Sequence, residues 1–305
     1  MLIGHERIIK DLEYLAKSRD FSHAYLFFGT EQVGKRRVAL GLANYFEKGI
    51  FDPPASTSSS LGGPGEPPSA GGEPRLHGGG RPLNDTRQIE PSPEKTIGIN
   101  VVRELKNYLS QKPNVSPYRL VIINDAEFLT PEAQNALLRL TEEPPPSSLL
   151  ILVLRDPESL TPTLTSRFQK IYFGTVQTSI VKVWLEKELK ISVKKAEEVA
   201  KISRGKPGLA YSMLKDKNFE ALTRTAEKFS KVPKRDRRLF LKKLLESKNF
   251  NFPAFLDALV INLEPKKVDN FHLWHKILEL KRKMTYFNLN PRLQLENLLE
   301  AFVSR

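Results

Sequence analysis

The first half of the chain alternates short apolar runs with amphipathic segments. The runs predict buried strands at Ala24–Phe28, Arg119–Ile123, Leu149–Leu154 and Lys170–Phe173. Apolar residues at helical spacing predict helices over residues 1–15, Lys35–Phe46, Val101–Lys112 and Pro131–Glu142. Because strands and helices alternate, the pattern predicts an α/β domain over residues 1–173, with a parallel sheet covered by helices on both faces.

The second half shows only helical periodicity. Short amphipathic segments predict a small helical domain over residues 174–216, and longer ones predict an all-helical third domain over residues 217–305. The last segment carries a predicted buried stripe, formed by Leu295, Leu298, Leu299 and Phe302. The hydrophobic pattern therefore predicts three domains, only the first of which contains a sheet.

Residues 52–94 interrupt the α/β pattern. The stretch from Asp52 to Arg81 is rich in Pro, Gly and Ser and has almost no aliphatic residues. Such a segment cannot bury enough apolar area to offset the entropy lost on ordering. We therefore predict a disordered surface insertion within the first domain, to which no ligand is assigned.

The charge and composition of the chain indicate which kinds of partner and binding site are expected. The formal net charge is +13, which favours polyanionic partners such as nucleic acid, although a solvated basic surface is the alternative. The chain has no cysteine, which excludes disulfides and thiolate metal sites and favours a reduced cytoplasmic setting. No apolar run approaches the roughly 20 residues that span a bilayer, so no membrane partner is predicted.

A phosphate-binding loop is predicted after the first strand. Gly29 and Gly34 have the spacing of a P-loop, and Lys35 is placed to reach the terminal phosphates of a nucleotide. Arg36 stands where a Ser or Thr hydroxyl would bind Mg²⁺, and a guanidinium has no acceptor lone pair. The motif predicts a damaged site that can still bind ATP or ADP weakly but does not hydrolyse it. The alternative is a glycine-containing turn that only resembles a P-loop.

The strand Arg119–Ile123 ends in a second altered motif. Asn124 falls where a Walker B strand carries its metal-linked Asp, and Asp125 falls where the catalytic Glu would stand. A neutral amide does not replace the charge that faces Mg²⁺. The alternative is that Asp125 only caps the strand end. No metal site is predicted elsewhere, because His272 and His275 share a predicted helix without further ligands nearby.

Four segments resemble the clamp-loader family of AAA+ proteins. They are Ser22–Phe27, Gln134–Pro145, Thr165–Phe168 and Asn290–Leu299, the last of which is similar to the closing helix of bacterial members. The resemblance implies a RecA-like domain, a three-helix lid and a helical collar that assembles a five-subunit ring. These three parts match the domains predicted from the hydrophobic pattern.

The resemblance also implies a role for one arginine. In the family, ATP sites lie between subunits, and each receives an arginine from the Ser-Arg-Cys motif of the next subunit. Ser166 and Arg167 match this motif, and Phe168 replaces its Cys. A guanidinium aimed at the γ-phosphate stabilises transition-state charge. The alternative is that Arg167 is an ordinary surface or ion-paired arginine.

Several departures separate this chain from the family's working ATPases. The lid segment Gly205–Gly208 has glycine where the family carries a nucleotide-sensing arginine, and Arg155 stands at the polar sensor position. Together with Arg36 and Asn124, four elements of the ATPase site are altered. The combination resembles the delta-prime branch of the family more than its ATP-hydrolysing gamma/tau branch.

The resemblance therefore implies a non-catalytic part of the DNA polymerase III clamp loader, which places the sliding clamp on primer–template DNA. Its implied partners are the gamma/tau and delta subunits, with Arg167 completing a neighbouring ATP–Mg²⁺ site and no cofactor required by the chain itself. Two alternatives stay open. One is an ATP-hydrolysing gamma/tau-type subunit, and the other is a stand-alone DNA-binding protein on an AAA+ fold.

Overall fold

The chain divides into two compact units, Met1–Leu209 and Ala210–Arg305. The computed structural model describes residues 2–18, 20–52, 83–92, 96–215, 217–246, 255–256, 258–259, 275, 277 and 279. The predicted insertion between residues 53 and 82 lies outside the described residues, as does the predicted closing helix with its apolar stripe. The division into three domains stays a prediction.

A five-stranded parallel sheet forms the centre of the first unit. Its strands are β1 (Ala24–Gly29), β2 (Thr86–Ile89), β3 (Arg119–Ile123), β4 (Ser148–Val153) and β5 (Gln169–Phe173). Their order across the sheet is β2-β3-β4-β1-β5, and all neighbouring strands run parallel. The carboxyl ends of β1, β3 and β4 therefore meet at one edge of the sheet, where open α/β sheets bind ligands. The predicted α/β class is confirmed.

Helices connect the strands and continue through the second half. They are α1 (Glu6–Ser18), α2 (Lys35–Lys48), α3 (Ile99–Leu109), α4 (Pro131–Glu142), α5 (Pro162–Thr165), α6 (Thr178–Leu189), α7 (Val193–Ser203), α8 (Pro207–Lys215), α9 (Lys217–Lys231) and α10 (Arg237–Glu246). After β5, the described residues form helices and turns without a further strand. In the described part of the chain, no helix combines the length and the apolar character needed to cross a membrane.

The sheet separates two apolar clusters. Alternate residues along each strand point to opposite faces, so Leu26 and Phe27 of β1 lie in different clusters. One cluster packs α3 and α4 against the sheet, and the other packs α1 and α2 against the opposite face. Every residue of β3 and β4 is buried, as expected for central strands of a parallel sheet covered on both faces.

The predicted insertion, residues 52–94, extends too far toward the C-terminus, because it includes a strand of the sheet. Thr86–Ile89 form β2, which pairs with β3 in register. Asp85 is fully buried just before the strand, and its carboxylate accepts hydrogen bonds from the backbone N–H groups of Asn114, Val115 and Ser116 at 2.6–2.9 Å. These contacts hold the start of β2 against the loop that precedes β3. The part of the range 52–94 that contains β2 is therefore not an insertion.

Candidate nucleotide site and surface arginine

The loop after β1 has the backbone geometry of a phosphate-binding loop. Gly29 and Gly34 adopt positive φ angles of 119° and 111°. A Cβ atom at Gly29 would lie 2.3 Å from the carbonyl oxygen of Phe173, so only glycine fits there. Gly34 precedes α2, whose N-terminus has no side-chain cap. The sequence therefore places a glycine-bounded loop between the carboxyl end of β1 and the start of a helix.

Lys35 points back into this loop. Its side chain is largely buried, and its ammonium group donates to the carbonyl oxygens of Gly29 at 2.6 Å and Thr30 at 2.7 Å. Burial lowers the pKa of Lys35 to about 8, and the nearby Glu127 and Glu31 carboxylates oppose this effect only in part. The ammonium group that would meet a terminal phosphate is thus already bonded to the loop's own backbone.

Arg36 is held by β2 and the residue that follows it. Its Nε and Nη2 groups donate to Gln88 Oε1 at 3.3 and 3.1 Å, and Nη2 forms a 2.5 Å ion pair with Glu90. The first turn of α2 therefore presents a paired guanidinium where a metal-binding hydroxyl would be needed. This arrangement does not fit a Mg²⁺-bound nucleotide.

The carboxyl end of β3 carries the two polar residues that the sequence singles out. Asn124 is buried, and neither atom of its side-chain amide has a hydrogen-bond partner among the described residues. Asp125 has a left-handed backbone conformation, with φ 47° and ψ 50°, and starts a short turn over Ala126–Phe128. Burial raises the pKa of Asp125, and Glu90 and Glu31 add to the increase while Arg155 opposes it. An amide and a carboxylate with a raised pKa therefore stand where the family binds its metal.

Glu127, two residues further on, has a buried carboxylate that the sequence analysis does not identify. Its side chain is 5% exposed, and neither of its oxygens accepts a hydrogen bond from the described residues. Burial raises the pKa of Glu127 to about 6, and Asp125 adds to this effect. The available signal was an acidic residue only four positions beyond the buried strand β3, in the turn that follows it.

Arg155 bridges the phosphate loop and the strand ends. Its Nη1 group forms a 2.5 Å ion pair with Glu31 in the loop, and its Nε lies 3.3 Å from Glu127 Oε1. Its backbone carbonyl accepts a hydrogen bond from the Gly29 N–H at 3.0 Å. The predicted sensor position therefore carries a guanidinium that is already neutralised by two carboxylates.

The segment between α7 and α8 contacts the loop through a glycine backbone group. The Gly208 N–H donates to the Gln32 carbonyl at 2.8 Å, and a Cβ atom at Gly208 would lie 2.9 Å from that oxygen. Gly205, at φ 73°, accepts a hydrogen bond from the Val176 N–H at 2.8 Å. The position where the family carries a sensing arginine therefore provides a backbone donor to the loop and no guanidinium.

Arg167 lies away from the phosphate loop and from the residues that follow β3. It follows α5 and precedes β5, whose first residue, Gln169, is paired with Tyr25. The phosphate loop begins at Gly29, which is paired with the last residue of β5, Phe173. At about 3.3 Å per residue, these two ends of the strand pair are roughly 13 Å apart. The structure brings the loop, Asn124 and Asp125 together at the carboxyl ends of the strands. Arg167 lies at the amino end of β5, on the opposite edge of the sheet.

Arg167 lies at the protein surface, and the residue that follows it is buried in the apolar core. Its side chain is 33% exposed, its Nη1 donates to the Thr163 carbonyl, and its Nη2 is paired with Glu142. Ser166 is exposed and donates to the same carbonyl at 3.1 Å. Phe168, in the place of the family's Cys, is buried in the sheet's apolar cluster. Within the described residues, no cluster of His, Cys, Asp and Glu could hold a metal ion, and His272 lies outside them.

Comparison with known proteins identifies proteins that are similar to this chain. Residues 81–177 match the family described as DNA polymerase III, delta subunit. DNA polymerase III subunit delta' of Escherichia coli is 33% identical over 133 residues, which are 43% of this chain and 40% of the relative. Subunit tau of Bacillus subtilis is 26% identical over 182 residues, which are 59% of this chain and 30% of the relative. The resemblance to the AAA+ clamp-loader family is confirmed.

A solved structure resembles this chain over nearly its whole length. It is that of a DNA polymerase III gamma-subunit-related protein from Thermotoga maritima, with 25% sequence identity and a TM-score of 0.55, and it covers 96% of this chain and 99% of that protein. The matches to the delta' and tau relatives span less than half the length of each. The family match over residues 81–177 contains Asp125, Ser166 and Arg167 but not the phosphate loop. The roles of these residues stay predictions.

Proposed function

We propose that this chain is a delta-prime-type clamp-loader subunit, which hydrolyses no ATP in its own pocket and supplies Arg167 to the ATP site of a neighbouring gamma/tau subunit. The observation that carries the proposal is the position of Arg167 before β5, at the end of the strand opposite to the end that pairs with the phosphate loop. An arginine so placed is suited to act on a nucleotide held by another subunit. The similarity to subunits delta' and tau supports the same class of assembly.

The altered pocket supports the non-catalytic part of the proposal. Phosphoryl transfer relies on Mg²⁺ to neutralise charge that develops on the phosphates. Arg36 and Asn124 remove the hydroxyl and the carboxylate that would bind this ion, and Lys35 is bonded to the loop itself. The chain therefore needs no cofactor of its own, and weak binding of ATP or ADP is the most that this loop allows.

The proposed partners follow from the same assignment. The chain would join gamma/tau and delta subunits in a ring through its helical collar, and the complex would load the sliding clamp on primer–template DNA. The net charge of +13 is suited to contacts with DNA phosphates, which position a protein on DNA without reading its sequence. The cytoplasmic location stays a prediction.

Reconstitution with gamma/tau, delta and the sliding clamp tests the proposal. We expect Arg167→Ala to leave assembly intact, because the side chain lies at the surface, and to lower both ATP turnover and clamp loading. Assembly is measured by size-exclusion chromatography with light scattering, and loading by clamp retained on primed DNA. Clamp loading equal to that of the wild type would overturn the role of Arg167.

A gamma/tau-type ATPase is the second candidate. The match to subunit tau covers a larger share of the chain than the match to subunit delta', which is the observation in its favour. It requires metal ligands that Arg36 and Asn124 do not provide. Mg²⁺-dependent ATP turnover by the purified chain, abolished by Lys35→Ala, would support this candidate over the first.

A further inference from the structure

Two elements together hold the guanidinium of Arg167. Nη1 donates to the backbone carbonyl of Thr163, in α5, and Nη2 is paired with the carboxylate of Glu142, the last residue of α4. We infer that Glu142 is a positioning residue, which fixes the orientation in which Arg167 meets a neighbour's nucleotide. This inference rests on the proposed function, because it assigns a second residue to the same arginine.

The two helices behind this pair are joined by a hydrogen bond and apolar packing. Gln134 of α4 is buried, and its Oε1 accepts a hydrogen bond from the Thr161 N–H at 2.9 Å, directly before α5. Its Nε2 donates to the Leu129 carbonyl at 3.2 Å, so both ends of the amide are used. Leu137 of α4 and Leu164 of α5 are fully buried in the same apolar cluster. The backbones of α4 and α5, which carry Glu142 and the Thr163 carbonyl, are therefore held together by a hydrogen bond and apolar packing.

The two contacts leave the arginine able to bind phosphate. A guanidinium has five N–H donors, of which one on Nη1 and one on Nη2 are used here, so three remain. A long side chain loses rotamer freedom when it binds a ligand, and a side chain already held at two nitrogens loses less. Glu142 thus reduces the cost of aiming Arg167 at a transition state.

The expected effect is modest because the pair is partly exposed. The side chains of Arg167 and Glu142 are 33% and 49% exposed, so solvent and salt screen their attraction. Exposed ion pairs of this kind correspond to about a two- to fivefold change in an equilibrium or rate. Loss of the arginine itself should cost far more, since such arginines contribute about three orders of magnitude or more at their site.

Glu143 offers a matched control. It follows Glu142 directly, has the same charge and is also exposed, yet no ion pair or side-chain hydrogen bond joins it to another described residue. Glu142→Gln and Glu143→Gln therefore remove the same charge from the same end of α4. Only the first removes the negative charge that pairs with Arg167.

A double-mutant cycle in the reconstituted loader tests the inference. Wild type, Glu142→Gln, Glu143→Gln, Arg167→Ala and the double variant Glu142→Gln/Arg167→Ala are assembled with gamma/tau and delta, and the kcat and KM for ATP are measured. The gamma/tau subunits carry alanine at their own motif arginine, so that the site completed by this chain dominates turnover. We expect Glu142→Gln to lower kcat about two- to fivefold with little change in KM, as for an interaction made in the transition state. Glu143→Gln should match the wild type, and the double variant should match Arg167→Ala.

The remaining outcomes distinguish a failure of the positioning role of Glu142 from a failure of the proposed function. If Arg167→Ala lowers kcat but Glu142→Gln behaves like Glu143→Gln, the positioning role is overturned and the proposed function stands. If Glu142→Gln lowers kcat further in the Arg167→Ala background, Glu142 acts elsewhere and the inference is also overturned. If Arg167→Ala itself has no effect, the proposed function fails.

Discussion

At the scale of single residues, the pocket holds two buried ionisable groups whose pKa values are shifted by burial. The pKa of Lys35 is lowered to about 8 and that of Glu127 is raised to about 6, so burial disfavours the charged form of each. The groups that face Glu127 are Asp125, Arg155 and Lys35. Between pH 4.5 and 6, folded Glu127 retains a proton that an unfolded glutamate releases. Its contribution therefore makes stability fall as pH rises through this window.

Glu127→Gln should therefore stabilise the chain at neutral pH. The variant cannot ionise, so it avoids the cost of a buried charge, on the order of 2 kcal/mol in the free energy of unfolding at about pH 7.5. Well below pH 4.5 the wild-type carboxyl is mostly protonated in both states, so the two proteins should have nearly the same stability. Thermal unfolding at about pH 7.5 and about pH 4.0 checks this, with Glu143→Gln as the exposed control. A gain of equal size at both pH values would contradict the assignment to ionisation.

A second residue-scale prediction concerns Arg36. Arg36→Ser restores the hydroxyl that a P-loop uses for Mg²⁺, but Asn124 still lacks the carboxylate and Lys35 is still bonded to the loop. We expect ATP turnover by the isolated variant to stay at the buffer background in a phosphate-release assay. Turnover that appears with Arg36→Ser and disappears on adding Lys35→Met would show that one residue accounts for the damage.

At the scale of elements, Gly205, which follows α7, packs against the backbone of the segment that follows β5. Gly205 has φ 73°, and a Cβ atom there would lie 2.0 Å from the Val176 carbonyl oxygen. Gly49, at the end of α2, has nearly the same φ of 72°, but among the described residues no atom lies within 4 Å of the position that its Cβ would take. The two glycines therefore differ in surroundings and not in backbone conformation.

These glycines make a matched pair of variants. Gly49→Ala should cost about 1 kcal/mol in unfolding free energy, from the left-handed conformation alone. Gly205→Ala should cost clearly more, on the order of 3 kcal/mol, because its methyl group also collides with backbone. Urea denaturation of both variants measures the difference. Equal losses would mean that the Gly205–Val176 contact adapts without cost.

The central elements could be predicted from sequence because each has a strong local pattern. The bounds of β3 and α4 are those predicted, since a continuous apolar run forms β3, and Thr130 caps α4 by accepting a hydrogen bond from the Ala133 N–H. β2 was missed because Thr86–Ile89 has a single buried residue and pairs only with β3. Its position depends on the tertiary contacts of Asp85, which no local pattern shows. The burial of Glu127 is only weakly indicated by its place just after β3, because it also depends on tertiary contacts.

At the scale of the whole molecule, the first unit separates two potential ATP-related surfaces. The phosphate loop and the ends of β3 and β4 form one, and the segment around Arg167, which precedes β5, forms the other at the opposite end of that strand. The first surface has Arg36 and Asn124 where the family resemblance implies metal-binding oxygens, whereas the second carries a partly exposed guanidinium that is paired with Glu142. Under the proposed function, only the surface around Arg167 would meet a nucleotide, which a neighbouring subunit would hold.

The most direct test compares the two surfaces in one assembled loader. ATP hydrolysis is measured with gamma/tau subunits that carry alanine at their own motif arginine, together with delta and this chain as wild type, Lys35→Met or Arg167→Ala. We predict that Lys35→Met leaves turnover at the wild-type value and that Arg167→Ala lowers it by roughly three orders of magnitude. Turnover lost with Lys35→Met and unchanged with Arg167→Ala would contradict the account.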